Sequence, residues 1–178
     1  MEYYKLEVCG LERHLPLIQI SDNFKIASFV LLGDAELAEK AGYELSKKID
    51  CDIIVTAEAK GIQLAHEIAR NLDKESFIVA RKSEKSYMNN PISVEVNSIT
   101  TANTQNLFLD SKDAEKIKGK RVALVDDVIS TGQSIAALEA LVEKAGGKVV
   151  QKLAILAEGD AADREDIIYL EKLPLFEV

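Results

Sequence analysis

The sequence predicts an α/β domain built on a mainly parallel, twisted sheet flanked by helices. Three observations carry that expectation. Short apolar runs at 52–56, 77–80, 121–125 and 149–156 alternate with stretches whose apolar residues recur at helical spacing. The run Val122-Ala123-Leu124-Val125 is apolar without alternation, as in a strand covered on both faces. The chain has 178 residues, which suits one domain with a core of its own.

Taken in order, residues 3–8, 15–20 and 24–32 are apolar runs that read as strands in a small N-terminal cap (1–33). Asp34 reads as an N-cap, because Ala35, Leu37, Ala38, Ala41, Leu45 and Ile49 follow at helical spacing. Glu36 and Glu39 lie early in that helix and Lys47 and Lys48 late, which suits the helix dipole. The strand 52–56 runs through the loop Ala57-Glu58-Ala59-Lys60-Gly61 into a helix over about 62–71. After the strand 77–80, residues 81–91 are polar and aperiodic, and 94–96 with 106–109 read as a hairpin; 81–105 is expected to be a flexible loop. The strand 121–125 leads to a turn over 126–132 and a helix to about Ala145, with Ile135, Leu138, Leu141 and Val142 on one face. Gly146 and Gly147 end it, and strands over 149–156 and 167–170 follow. In open α/β sheets ligands sit beyond the carboxyl ends of strands, so chemistry is expected just after Thr56, Ala80, Val125 and Leu156.

Composition excludes several classes of function. Lys and Arg number 22 against 30 Asp and Glu, a net charge of −8, which argues against a general surface for nucleic acid or anionic lipid. Cys9 and Cys51 form neither a C-x-x-C pair nor a disulfide framework. The first residues lack a signal-peptide pattern and no apolar stretch approaches a membrane span, so the expected compartment is the reduced cytoplasm. His14 and His66 are the only histidines, too few for a His-rich metal site. Walker-A, dinucleotide-binding and nucleophile-elbow motifs are all missing.

The most informative segment is Asp126-Asp127-Val128-Ile129-Ser130-Thr131-Gly132-Gln133-Ser134. A buried strand delivers two adjacent carboxylates to the sheet edge, and hydroxyl residues and a glycine then open a helix. A helix N-terminus offers free N–H groups and a positive dipole end, so it suits a phosphate. Gly132 permits close backbone approach, and Ser130, Thr131 and Ser134 add hydroxyl donors. The carboxylates can accept from vicinal hydroxyls or face Mg²⁺ through water. Phosphate at one end and a diol or cation at the other describes a sugar phosphate. An acidic turn before a capped helix would leave the paired aspartates unexplained.

This segment closely resembles the phosphoribosyl pyrophosphate (PRPP) signature of the type I phosphoribosyltransferases, and the likeness extends over about 34–158. The resemblance implies the family's fold across 1–178, with 1–33 as its hood and 81–105 as its catalytic loop. It implies that Ser130, Thr131, Gly132, Gln133 and Ser134 cradle the 5′-phosphate, and that Asp126 and Asp127 bind the ribose hydroxyls and Mg²⁺. Ala59, Lys60 and Gly61 resemble the pyrophosphate loop of adenine phosphoribosyltransferases, with Lys60 in place of an arginine and a cis peptide expected near Ala59–Lys60. Arg81, Lys82 and Lys85 resemble the Arg-Lys loop that closes over pyrophosphate, often across a homodimer.

The implied reaction is attack by a purine nitrogen at the anomeric carbon, displacing pyrophosphate without a covalent enzyme nucleophile. Phe24, Val128, Ile129 and Glu158 are the expected base-binding residues. Glu158 would accept from an exocyclic amine, which favours adenine. The flexible-loop carboxylate of adenine enzymes aligns with Thr100, Glu95 being the nearest acid, and Ser98-Ile99-Thr100-Thr101 looks closer to the xanthine type. A xanthine/guanine-type enzyme and a non-catalytic PRPP-sensing regulator like the purine-repressor effector domain therefore stay open, as does a sugar-phosphate or nucleotide binder of another pathway.

Overall fold

The computed structural model describes residues 2–96 and 105–178. Two sheets organise it. The central sheet holds β4 (Ile53–Ala57), β5 (Ile78–Ala80), β8 (Arg121–Ile129), β9 (Lys148–Glu158) and β10 (Ile168–Leu173) in the order β10-β9-β8-β4-β5, every neighbour parallel. The hood sheet is antiparallel: β1 (Tyr3–Val8), β2 (Leu11–Gln19) and β3 (Phe24–Ala27), completed by β11 (Leu175–Glu177) from the far end of the sequence. β6 (Ile92–Val96) and β7 (Gln105–Leu109) pair as an antiparallel hairpin.

Helices α1 (Ala35–Ser46), α2 (Ile62–Asn71), α3 (Ser111–Ile117) and α4 (Gln133–Lys144) link these strands. From β4 the chain crosses through α2 to the edge strand β5. From β8 it crosses through α4 to β9, on the other side. The ends of β4 and β8 thus flank the point where the sheet's connections part, the usual crevice for a ligand.

The inner strands are buried on both faces, and successive side chains of β8 from Val122 to Val125 enter opposite cores. Ala123 and Val125 of β8 join Ile54 in a core with α1, α2 and the hood, while Val122 and Leu124 join Val55 in a second core with α4, α3 and the hairpin. A sheet covered on both faces reads as a continuous apolar run, which explains the pattern at 122–125.

The expected α/β architecture is what the chain adopts. β8 differs in extent, running to Ile129, so Asp126 and Asp127 belong to the strand's last turn of pleat and not to a following loop. Its ladder with β9 continues as far as Ile129↔Ala157. β3 ends at Ala27 where an apolar run to 32 had suggested a longer strand, and the helix after β8 is capped by Gly132. α3 and β11 were not anticipated: one is seven residues long, and the other pairs only with β3. Ser98, Ile99, Thr100 and Thr101 lie outside the described residues. Among the described residues no helix is long and apolar enough to cross a membrane.

Asp34 does cap α1, accepting from the Leu37 amide at 3.1 Å. It also accepts from Arg13 Nε (2.7 Å) and Nη2 (3.1 Å), which ties hood strand β2 to α1. The Arg13 guanidinium holds the Asp34 carboxyl below its ordinary pKa, and the Leu37 amide adds to this against the opposing effect of burial. Asp34→Ala removes a cap and a half-buried ion pair, and is expected to lower unfolding stability by ~1–2 kcal/mol in urea titrations at neutral pH. Because the folded pKa is depressed, this contribution is present above the unfolded value and is lost as pH falls through the folded one. The gap between wild type and variant should therefore close in acid, and a pH-independent gap would contradict the ion-pair assignment.

Candidate active site

The site is built where β4, β8 and β9 end. β4 and β8 are in register with Thr56 opposite Val125, and the buried Thr56 hydroxyl donates to the Val125 carbonyl at 2.7 Å. A β-carbon at Gly61 would collide with Thr56 Oγ1 and stand 3.1 Å from the Val125 carbonyl oxygen. Only glycine lets the loop 58–61 turn back so closely against β8. A cis peptide joins Glu58 and Ala59, one bond earlier than the 59–60 bond expected. The same loop brings Lys60 within electrostatic reach of Asp126, Asp127 and Glu158.

A cleft of about 360 Å³ opens here. Its floor carries Asp126, Asp127 and Val128 from β8, and one wall is the loop from Ala57 to Lys60. Glu158 closes the end of β9, and Ser28 and Phe29 with Ile26 form the hood side. A small recess continues from it, ringed by Ser130, Thr131, Gly132 and Ser134; Ser130 and Ser134 line both spaces. Gly132 takes a left-handed turn (φ 80°) and caps α4, with the Gln133 amide 3.4 Å from Thr131 Oγ1. The N-terminal amides of α4 therefore face a recess bordered by hydroxyls, an anion-binding arrangement.

The two carboxylates are the electrostatic centre. Asp127 is 3% exposed, and its Oδ2 is buried with no hydrogen-bond partner among the described residues. Its Oδ1 accepts from the Val128 amide (2.9 Å), and Asp126 Oδ1 accepts from the Asp127 amide (2.8 Å). Burial pushes both carboxyls up, the Asp127 charge raises Asp126 further, and Lys60 opposes the rise at each. Burial also raises Glu158, again against Lys60. A site that holds acids back from ionising is short of positive charge or hydroxyl donors, which a ligand can bring.

Lys82 lines the cleft, but Arg81 does not. Arg81 Nε donates to Glu58 (3.0 Å) and Nη1 to the Tyr87 hydroxyl (2.7 Å), and Glu58 also accepts from the Lys82 amide at 2.6 Å. Burial would raise the Glu58 carboxyl, yet the Lys82 amide and the Arg81 guanidinium outweigh it and hold it below its ordinary value. Lys85 stands off the cleft with its Nζ on Ser83 Oγ (2.5 Å). Gln133 opens α4 and lines neither space.

Two base-binding expectations need correction. Phe24 is 39% exposed near the start of β3 and does not reach the cleft; Phe29, 8% exposed, takes that place with Ile26. Phe24 opens β3, whereas Ile26 and Ala27 at the strand's other end and the following Ser28 and Phe29 line the cleft. Ile129 is 2% exposed and packs in the core with α4, bordering the small recess and not the cleft. Val128 and Glu158 do line the cleft. Leu107 and Leu173 line it too, without having been anticipated. They come from β7 and β10, and no local pattern marks them.

The phosphoribosyl transferase domain model matches residues 32–173. Hypoxanthine/guanine phosphoribosyltransferase of Methanococcus voltae is 33% identical over 141 residues, 78% of this chain and 71% of that protein. Adenine phosphoribosyltransferase of Thermosipho africanus is 35% identical over 151 residues, 79% of this chain and 84% of that protein. A crystal structure of adenine phosphoribosyltransferase from Thermoanaerobacter pseudethanolicus superposes with a TM-score of 0.71 at 28% identity, covering 89% of this chain and 95% of that one. A hydroxyl-ringed recess after paired acids on β8, a glycine-tight loop after β4 and a sequence profile over most of the length agree: the chain belongs to the phosphoribosyltransferase family and has its type I fold.

Proposed function

We propose that the chain is a single-domain purine phosphoribosyltransferase that moves the 5-phosphoribosyl group of PRPP to a purine base, adenine being favoured, and releases pyrophosphate. One observation carries the reading: a single cleft joins an anion recess at α4, a pair of acids short of donors, a cationic loop wall and an apolar end beside Glu158. The 5′-phosphate sits against the amides and hydroxyls from Ser130 to Ser134, and Asp126 and Asp127 accept from the ribose hydroxyls. Lys60 and Lys82 face the leaving pyrophosphate. The base nitrogen bonds to the anomeric carbon as the bond to pyrophosphate oxygen breaks, and the oxygen departs with the electron pair.

The residues present suit Mg²⁺. Asp126 and Asp127 offer hard oxygens, one of them an orphaned buried atom. Among the described residues no group of three His, Cys, Asp or Glu is placed to hold a metal. Two carboxylates fit an ion that keeps several waters and takes its other ligands from substrate. When bound, Mg²⁺ supplies charge neutralisation for the leaving pyrophosphate.

Adenine is favoured by Glu158. Its carboxyl faces the cleft beside Phe29 and Val128 with no hydrogen bond among the described residues, so it can accept from an exocyclic amine. Gly159 follows it, where a lysine would be needed to donate to an oxo group. Guanine also carries an exocyclic amine, and some relatives are named hypoxanthine/guanine phosphoribosyltransferases, so this is the second reading.

The deciding assay offers PRPP, Mg²⁺ and each of adenine, guanine, hypoxanthine and xanthine. Adenine is expected to give the highest kcat/KM. Guanine ahead of adenine would select the second reading, and PRPP binding without product from any base would leave a sensor. Asp127→Ala and Gly132→Val are each expected to cut turnover at least ~100-fold through lost substrate positioning. Turnover near the wild-type rate in both would contradict the site assignment. We further propose a homodimer in which Arg81 serves the neighbouring cleft. Mixed Arg81→Ala and Asp127→Ala chains should then regain activity that neither has alone, whereas an inactive mixture would place Arg81 in its own subunit.

A further inference from the structure

Charge is distributed unevenly along the cleft. Its pyrophosphate end has Lys60 and Lys82. The phosphate recess is ringed by the uncharged Ser130, Thr131, Gly132 and Ser134, and the one ionisable side chain on its lining is the Asp126 carboxyl. A phosphate monoester carries close to two negative charges at neutral pH, more than a helix dipole balances.

One cation stands beside this recess. Arg164 follows the 3-10 turn Gly159–Asp163 after β9, and its guanidinium lies directly over Gly132. A β-carbon at Gly132 would collide with Arg164 Nη1 and stand 3.7 Å from its Cζ. The opposite edge of the guanidinium is clamped: Nε donates to Asp166 Oδ1 at 2.8 Å and Nη2 to Asp166 Oδ2 at 2.7 Å. Such a two-point fork fixes the plane of the group as well as its position. Nη1 donates no hydrogen bond among the described residues, and it is the nitrogen turned to the glycine. Asp166 is itself anchored through Lys152, which lies 3.4 Å from Asp166 and 2.7 Å from Glu139 of α4. The clamp thus connects the turn after β9 to the helix whose N-terminus forms the recess.

We propose that Arg164 is a positioning residue for the phosphate end of the substrate: its free edge, aimed by Asp166, packs on Gly132, keeps the loop in its left-handed turn and adds one positive charge to the recess. The inference rests on the sugar-phosphate reading of that recess. The guanidinium acts through the loop, since Arg164 does not itself line the recess. Gly132 is then required for two reasons: its backbone angle, and the space that the guanidinium occupies.

Ribose 5-phosphate and pyrophosphate separate the two ends of the cleft. Calorimetric affinities would be measured for each with wild type, Arg164→Gln, Arg164→Lys and Asp166→Asn, over a range of NaCl concentration. Arg164→Gln is expected to weaken ribose 5-phosphate ~10-fold, through the lost positive charge beside the recess and the loosened turn at Gly132 together. Arg164→Lys keeps the charge without the fork and should lose roughly threefold, with Asp166→Asn also weakened. Pyrophosphate affinity should stay within about twofold in all three, since Arg164 lies beside Gly132 and does not line the cleft wall that carries Lys60 and Lys82, and an exposed charge is screened with distance. The salt dependence of ribose 5-phosphate binding should be shallower in Arg164→Gln, which a purely structural role would not produce. Unchanged ribose 5-phosphate affinity in Arg164→Gln, parallel salt slopes, or equal loss of both ligands would overturn the proposal. Wild type that binds pyrophosphate but no ribose 5-phosphate would instead overturn the sugar-phosphate reading, and this inference with it.

Discussion

Two carboxylates side by side at the buried end of one strand are the constraint around which the rest of this molecule is arranged. Neighbouring acids repel, and burial removes the water that would screen them. Asp127 is almost wholly enclosed and keeps one oxygen without a hydrogen-bond partner among the described residues. A protein selected for stability alone would place apolar residues there. Here the strand is held by a long parallel ladder to β9 and a shorter one to β4, and apolar residues fill both faces below the pair. The unfavourable pair is tolerated because the sheet around it is over-determined, as is common where a site is kept ready for a ligand.

The second element is the joint between β4 and β8. Thr56, Val125 and Gly61 form one contact: a side-chain hydroxyl on a carbonyl, with a glycine packed against both. This joint sets how far the cationic loop stands from the acids. Lys60 opposes the rise that burial causes at Asp126, Asp127 and Glu158, so the geometry of a turn bears on how readily they ionise. Glu58, two residues earlier, balances the cations on its other side by holding Arg81 and the Lys82 amide.

Legibility from sequence followed how local each feature is. Asp126 through Ser134 is one continuous segment whose chemistry is written in adjacent residues, and the recess and the acid pair were readable there. Asp34 was readable as a cap for the same reason. The base end was not, because it gathers residues from β3, β7, β9 and β10. Phe24 and Phe29 sit in the same apolar run, Phe24 opening β3 and Phe29 lining the cleft beyond its end. Ile129 was misplaced because the strand was read as ending at Val125; β8 continues through Ile129, which packs in the core with α4. Arg164 lies in a polar stretch with no motif, and its relation to Gly132 is visible only in three dimensions.

The hood has a consequence in the language of polymer chains. Its outer strand β11 is the last element, and it pairs with β3, among the first. This pairing closes a loop of roughly 150 residues, whose entropic penalty grows only with the logarithm of its length. The hydroxyl-ringed recess needs no such closure, being made within a few residues of β8. During synthesis from the N-terminus, β8 and α4 emerge well before the strand that completes the roof above them. The two ends of one cleft therefore have different histories: the anion end is assembled by neighbours in sequence, and the hood over the base end is sewn shut by the final strand.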